Sequence, residues 1–319
     1  MIDHVIVMAA SSSRGLESLT RTRPKAMLPI LGKPLIAWVM EGYYRANIRR
    51  FTVVVGEHEG SVVEWLTTRW HPDVKFNFAP QGHRRGTAST LFATRTLIKE
   101  PFVITSCDHL IPEEHIIRLA QYFETHPSDA AALSLLYAPD EALESAGVLL
   151  DPRGNVIYIS ERPIGAHQDY MTTLPVYGFT PRVLDYLDRV PVAEESGERV
   201  LATAIQMMID GGNLVGAIQA EWRMRIETPD DLLRANLHFL NQMEGVNLLS
   251  EIPASVRIYP PAYVDPGVVV NSGAELGPNV YLETGTVVGA NAILRHTVVL
   301  GRQIGRDAHI EGELVSSDR

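Results

Sequence analysis

Residues 8–36 read MAASSSRGLESLTRTRPKAMLPILGKPLI and overlap the end of a short apolar run, His4–Ala9 (HVIVMA). A run that short and that apolar is a strand buried on both faces. The small residues after it form a loop at the carboxyl end of the strand, which is where open parallel sheets bind their ligands. Arg14, Arg21, Arg23, Lys25 and Lys33 oppose only Glu17 here, a local excess of +4 in a chain of formal net charge −10. A concentrated cationic loop suits an anionic ligand, and a solvated basic loop carries the same charge. The order of the residues separates the two.

Outward from this loop, strands and helices alternate. Phe51–Val55, Val74–Phe78 and Phe102–Ser106 read as strands, with helical stretches at Pro34–Ala46, Gly60–Arg69 and Ala88–Lys99. That alternation predicts βαβ units and a mostly parallel, doubly wound Rossmann-like sheet in the α/β class. Further on, Gly147–Leu150, Val156–Ser160 and Pro175–Phe179 read as strands of a mixed extension, and Val200–Asp210 and Pro229–Met243 as helices.

Near residue 250 the pattern changes. Ile258, Val264, Val270, Leu276, Leu282, Val288, Leu294 and Leu300 recur every six residues. Four positions after each stands a small or β-branched residue, Ala262, Val268, Ala274, Val280, Thr286, Ala292, Val298 and Ile304. Turn formers such as Asp265-Pro266-Gly267 fill the gaps. A sustained hexad is the signature of a parallel β-helix, each coil burying its corner residues on the last. The spacing predicts about three coils, with a change of register near Gly301. The domains expected are therefore residues 1–245 and 246–319.

Composition limits the function. The chain has 319 residues, 28 Lys and Arg against 38 Asp and Glu, and 45% apolar residues. The acidic balance excludes a polyanion-coating protein, so no nucleic-acid partner is expected. One cysteine, Cys107, excludes an internal disulfide and any cysteine-cluster metal site. No apolar run reaches 18 residues, and Met1-Ile2-Asp3-His4 lacks the basic start of a signal peptide. A cytoplasmic location is expected, with no membrane partner.

Segment 8–36 resembles, without a gap, the signature of the sugar-1-phosphate nucleotidyltransferases, L-A-A-G-x-G-T-R-L-x-P-L-T-x-x-x-P-K-x-M-L-P-I-x-G-K-P-L-I. Ala9, Ala10, Leu16, Leu19, Thr20, Pro24, Lys25, Met27–Ile30 and Gly32–Ile36 match it. Later segments follow in family order. Gln81 with Gly86-Thr87-Ala88 is similar to the nucleobase-contacting stretch, Phe102–Asp108 to the strand ending in a magnesium-binding aspartate, and Gly147–Pro163 to the sugar-binding stretch that ends here in Glu161-Arg162-Pro163. Tyr177–Pro181 and Ile226–Leu232 match two further family segments. Members of this family often carry a left-handed hexapeptide β-helix, so the resemblance extends over the whole chain.

The resemblance implies attack by a sugar phosphate oxygen on the α-phosphorus of a nucleoside triphosphate, with Mg²⁺ as cofactor. It implies Lys25, Asp108 and Arg14 as catalytic residues, and Asp108 as a metal ligand. It places nucleotide on Ala9, Ala10, Ser11, Gln81, Gly86 and Thr87, and sugar on Gly147, Glu161, Arg162 and Thr173. Gln81 and Gly86-Thr87 are compatible with a pyrimidine base.

The chain also departs from the pattern. Ser11 and Ser13 replace glycines, the family's Thr-Arg is here Arg14-Gly15, and Thr173-Leu174-Pro175 replaces a sugar-binding Asn segment. The second metal-binding aspartate of the family falls on Arg225, with Glu227 two residues on. Two functions follow: a nucleotidyltransferase with an altered loop, or a degenerate paralogue that binds nucleotide sugar or a partner subunit and regulates. Some relatives bind acyl-coenzyme A on the β-helix with a histidine as base; His296 and His309 read instead as surface histidines, and Tyr259, Tyr263 and Tyr281 as surface or docking residues. Homo- or hetero-oligomers through the β-helix are expected.

Overall fold

A computed structural model of the chain describes residues 2–10, 13–56, 59–82, 86–161, 163, 169–194 and 196–316. The chain packs as two compact units, Met1–Ser11 with Val39–Arg223, and Ser12–Trp38 with Met224–Arg319. The expected sites Ser11 and Arg162, and the cations Arg84 and Arg85, lie outside the described residues.

The first unit is built on β1 (His4–Met8), whose Val5, Ile6 and Val7 are wholly buried. It runs parallel between β2 (Arg50–Val55) and β4 (Phe102–Ser106), with Val5 opposite both Phe51 and Val103. β3 (Lys75–Pro80) lies parallel beyond β2. The connecting helices are α1 (Leu35–Arg45), α2 (Gly60–Arg69) and α3 (Thr87–Ala93). α3 ends six residues before the expected Lys99 because Thr94 turns back on Leu91: both its N–H and its hydroxyl donate to that carbonyl. An i−3 bond there replaces the i−4 ladder and starts a 3-10 turn, Arg95–Leu97.

Among the described residues the sheet has nine strands, the parallel part carrying the mixed extension that the sequence predicts. After α4 (Glu113–Thr125) come β5 (Ala131–Leu136), β6 (Ala146–Leu150), β7 (Val156–Glu161) and β8 (Met171–Phe179), followed by α5 (Leu201–Asp210) and β9 (Val215–Gln219). β8 is antiparallel to β4, β5 and β6, β6 is antiparallel to β7, and β5 is parallel to β9. Thr173 pairs with Leu135 but Tyr177 with Leu133, so β8 bulges between them. Pro175 stands in that bulge, where a residue without an N–H is tolerated.

In the second unit, residues 246–316 form a parallel β-helix with sheets of five, four and three strands on its three faces. This exceeds the three coils that the hexads predict, because Val246–Leu248 joins the first face before the repeat begins at Ile258. Ala262 pairs with Val280 and Glu275 with Ile293, a coil of 18 residues or three hexads. The register then shortens twice. Tyr281 pairs with Val298, one residue short, and Val287 with Gln303, two short. The left-handed residues His296 (φ 49°) and Gly301 (φ 57°) mark the two steps. Val264, Leu276, Leu282, Val288 and Leu294 fill the interior with no solvent exposure.

The signature segment and α6 (Pro229–Asn241) pack with these repeats. α6 begins at a capping box, where the Thr228 hydroxyl accepts from the Asp231 N–H and the Asp231 carboxylate accepts from the Thr228 N–H. The compact units therefore group residues 12–38 with the repeats rather than with the strand that precedes them in sequence.

Candidate active site

Within the first unit the predicted residues collect on one edge. The parallel strands β1, β2, β3 and β4 all end there, and Ala9-Ala10, Gln81 and Asp108 stand just past the ends of β1, β3 and β4. The Ala9 and Ala10 N–H groups both donate to the Val54 carbonyl, at 2.9 and 3.1 Å. What these two residues offer a ligand is thus a close-approach surface and not an N–H. The Gln81 N–H is held by Val55 at 2.8 Å. Cys107 is buried with its N–H on Met8, the role of a small strand-end residue.

Asp108 is 7% exposed, and its Oδ1 lies 2.9 Å from Nδ1 of His109. The same ring nitrogen lies 3.0 Å from the Ser106 hydroxyl. One imidazole nitrogen thus bridges the serine and the carboxylate and fixes the orientation of Asp108. His109 was not singled out from the sequence; its place beside Asp108 was the available signal.

Gly86 and Thr87 open α3. Gly86 has φ +101°, and a Cβ there would lie 2.3 Å from the Arg199 carbonyl oxygen, so only glycine fits. The Thr87 hydroxyl accepts from the Leu201 N–H at 2.8 Å, tying the start of α3 to the start of α5.

The sugar-side residues form a second cluster. Gly147 lies opposite Ser160 and Thr172, and Glu161 opposite Ala146, so three neighbouring strands carry the group. A Cβ on Gly147 would meet Pro163 at 2.7 Å and Tyr170 at 3.1 Å. Thr173 is buried and its hydroxyl donates to the Tyr177 hydroxyl at 3.1 Å. Burial pushes Tyr177 up to about 12, with Thr173 opposing and the Glu161 charge adding to the shift. Tyr177 therefore stays a neutral phenol in this cluster.

The second unit holds Arg14 and Lys25. Ser13, Leu16 and Leu19 make a chain of tight turns, Leu16 N–H to Ser13 and Leu19 N–H to Leu16, with both leucines buried. The positive φ falls on Gly15 (+82°) and not on Ser13, so the serine there carries no left-handed strain. Arg14 stands exposed just before it. Lys25 begins a 3-10 turn, Lys25–Met27, set off by Pro24, and is 4% exposed. Arg225, at the family's second metal position, makes an ion pair with Glu227. That pair supplies a cation with its own counter-ion and not a second carboxylate for a metal. Among the described residues no three His, Cys, Asp or Glu side chains are grouped to hold a metal. His309 is exposed, and His296 meets the Asn279 amide at 3.2 Å. Tyr281, read from the sequence as a surface or docking residue, is wholly buried and so not at the surface.

The first unit is thus an α/β sheet whose parallel strands end on one edge, with Asp108 just past the fourth of them, the edge at which open α/β sheets bind ligands. The family model for nucleotidyl transferases matches residues 4–242, and the chain belongs to that family. It is 27% identical over 273 residues to the bifunctional protein GlmU of Methanococcus maripaludis strain C5, covering 84% of this chain and 61% of that protein. It is 24% identical over 227 residues to the UTP–glucose-1-phosphate uridylyltransferase AglF of Haloferax volcanii, covering 71% of this chain and 92% of the relative. The chain spans about three fifths of the GlmU proteins it matches. A solved UDP-glucose pyrophosphorylase in complex with UDP-glucose shares the fold at TM-score 0.69 and 18% identity, over 76% of this chain and all of that one. Among the described residues no helix is long and apolar enough to cross a membrane.

Proposed function

We propose that the chain transfers a nucleotidyl group from a nucleoside triphosphate to a sugar 1-phosphate, giving an NDP-sugar and pyrophosphate. The row of Ala9-Ala10, Gln81 and Asp108 along one carboxyl edge, in a chain of this family, carries the reading. A phosphate oxygen of the sugar 1-phosphate bonds to the α-phosphorus. The bond from that phosphorus to the oxygen bridging to the β-phosphate breaks, and pyrophosphate leaves with the electron pair. Such transfers depend on positioning and on neutralising charge about the phosphorus.

In this reading Lys25 and Arg14 neutralise the triphosphate. Ala9, Ala10, Ser11, Gln81, Gly86 and Thr87 seat the nucleotide, the two alanines by close approach. Gly147, Glu161, Arg162 and Thr173 seat the sugar phosphate, with the neutral Tyr177 hydroxyl behind them. Magnesium is commonly held by one or two carboxylates plus substrate phosphates, so the donor set suits an ion held by Asp108 alone. Such an ion would supply charge neutralisation on the phosphates, with His109 orienting its carboxylate ligand. The domains we assign to these tasks are 1–245 for transfer and 246–319 for the repeats. Assembly with like or unlike subunits runs through the repeats, and the protein works in the cytoplasm.

The names of AglF and of the solved pyrophosphorylase make UTP and glucose 1-phosphate the first pair to test. Purified protein with Mg²⁺ is given a panel of triphosphates and sugar 1-phosphates, and pyrophosphate is measured. Release with at least one pair is expected, falling about 100-fold or more in Lys25→Ala. No release from any pair, with a nucleotide sugar still raising the melting temperature, would replace this reading with that of a regulatory paralogue.

A further inference from the structure

Tyr281 lies between Val280 and Leu282, whose side chains fill the β-helix interior. Alternation along a strand sends Tyr281 outward, toward solvent in an ordinary coil. Yet it has no solvent exposure. The outer face of this coil is covered by α6 and by the signature segment, which meets it at two points that flank Lys25 in the chain.

The first point is Arg23. Its guanidinium grips Glu283 with both arms, Nη1 on Oε1 and Nη2 on Oε2, the latter at 3.1 Å. The Glu283 side chain is 13% exposed, so the pair is largely withdrawn from water. A two-armed guanidinium–carboxylate pair fixes direction as well as distance.

The second point is Gly32. At φ +73° it passes so close to the coil that a Cβ would lie 2.5 Å from Asp265 Oδ1 and 3.4 Å from the Tyr263 ring. Its backbone also acts on the Tyr281 hydroxyl, lowering its pKa against the rise that burial causes. That hydroxyl donates in turn to Asp265 Oδ2 at 2.8 Å, which also accepts from the Thr284 N–H at 3.3 Å. Asp265 is 6% exposed, and burial followed by the Glu283 charge pushes its carboxyl up. Two carboxylates thus act on one another here, and Arg23 pairs with one of them, Glu283.

Lys25 and its 3-10 turn lie between these anchors. Pinning a short segment at both ends removes most of the conformations that would carry the lysine elsewhere. We propose that Glu283 and Tyr281 are positioning residues for Lys25. The coil holds residues 23–32 in the conformation in which the lysine meets the triphosphate, so the repeats are a working part of the transfer site. This inference rests on the nucleotidyl-transfer reading.

The test uses the full chain with Glu283→Gln, Tyr281→Phe and the exchanged pair Arg23→Glu with Glu283→Arg. Amide hydrogen exchange is followed without substrate, and KM is measured for each substrate. In both single variants, amides 24–33 are expected to exchange at least tenfold faster while β1 and β4 keep their protection. KM for the triphosphate should rise about tenfold, with KM for the sugar 1-phosphate within twofold, and the exchanged pair should recover most of both. Tyr281→Phe keeps the ring and loses one oxygen, so it tests the anchor even where Glu283→Gln folds poorly. Unchanged exchange in 24–33, or equal rises in both KM values alongside a lower melting temperature, would overturn the positioning role while leaving the activity standing. Absence of turnover in the wild-type protein with every substrate pair would remove the functional reading, and this role with it.

Discussion

Gly15 lies directly on the main chain of Glu227: a Cβ at Gly15 would sit 2.6 Å from the Glu227 carbonyl oxygen. The altered loop of the signature is therefore moulded against the segment that carries Arg225 and Glu227. Among the described residues of that loop, the left-handed one, Gly15, also has no room for a side chain.

Gly15→Ala has to accept a strained φ and push a main-chain oxygen away, a cost of about 1–3 kcal/mol. We expect pyrophosphate release to fall at least tenfold, because Arg14 adjoins the distorted turn. Ser13→Gly, at a position without positive φ, should change turnover less than threefold. Equal kinetics for Gly15→Ala and wild type would refute the tight seating.

Asn236 on α6 is fully buried, and both ends of its side-chain amide bond to neighbours. Its Oδ1 accepts from the Leu31 N–H at 3.0 Å, and its Nδ2 donates to the carbonyls of Pro29 and Leu232. Asn236→Leu leaves the Leu31 N–H and the Pro29 carbonyl buried without that partner, at about 2–4 kcal/mol. A drop in the urea midpoint is expected, and a midpoint equal to wild type would show that the amide is dispensable.

Gly147→Ala brings a methyl group to 2.7 Å from Pro163 and 3.1 Å from Tyr170. Pro163 or Tyr170 has to give way to admit it. KM for the sugar 1-phosphate should rise at least fivefold with little change for the triphosphate. A selective effect on the triphosphate instead would contradict the sugar-side assignment.

Burial holds His4 and His115 down at about 4, with Arg50 and Arg118 adding to it. Both imidazoles are neutral in the folded protein and bond to hydroxyls, His4 to Thr52 and His115 to Ser134. The unfolded chain binds these protons near pH 6.5, so it holds more protons than the folded chain between 6.5 and 4. Stability is then complete above pH 6.5 and is lost as pH falls toward 4, by up to about 3 kcal/mol per ring. Urea midpoints of wild type and His4→Asn at pH 7.5 and 5 check this. The pH 5 loss should be smaller in the variant, and an equal loss in both would exclude His4 as a source.

Much of this was legible in local sequence. The apolar run at Val5–Val7, the hexads from Ile258 to Leu294 and the family signature of segment 8–36 all declare themselves within a few dozen residues. β5 and β9 were not legible: Ala131–Leu136 and Val215–Gln219 are short apolar runs, and such runs do not distinguish strand from buried helix. The bulge around Pro175 could be suspected from the proline, but its register depends on the partner strand. Lys25 stood out by its place in the signature and Asp108 by the later segment Phe102–Asp108, whereas His109 became informative only through its distance to Asp108.

Periodicity and residue order by themselves determined a sheet of βα units, a hexad β-helix and the family to which both belong, because those signals are written between near neighbours in the chain. The tertiary structure alone decided that Tyr281, outward on its strand, is buried. It also decided that Arg23 closes on Glu283, 260 residues away. A polar residue at an outward hexad position looks the same whether water or another segment covers it. Only the folded chain brings the covering segment to that face.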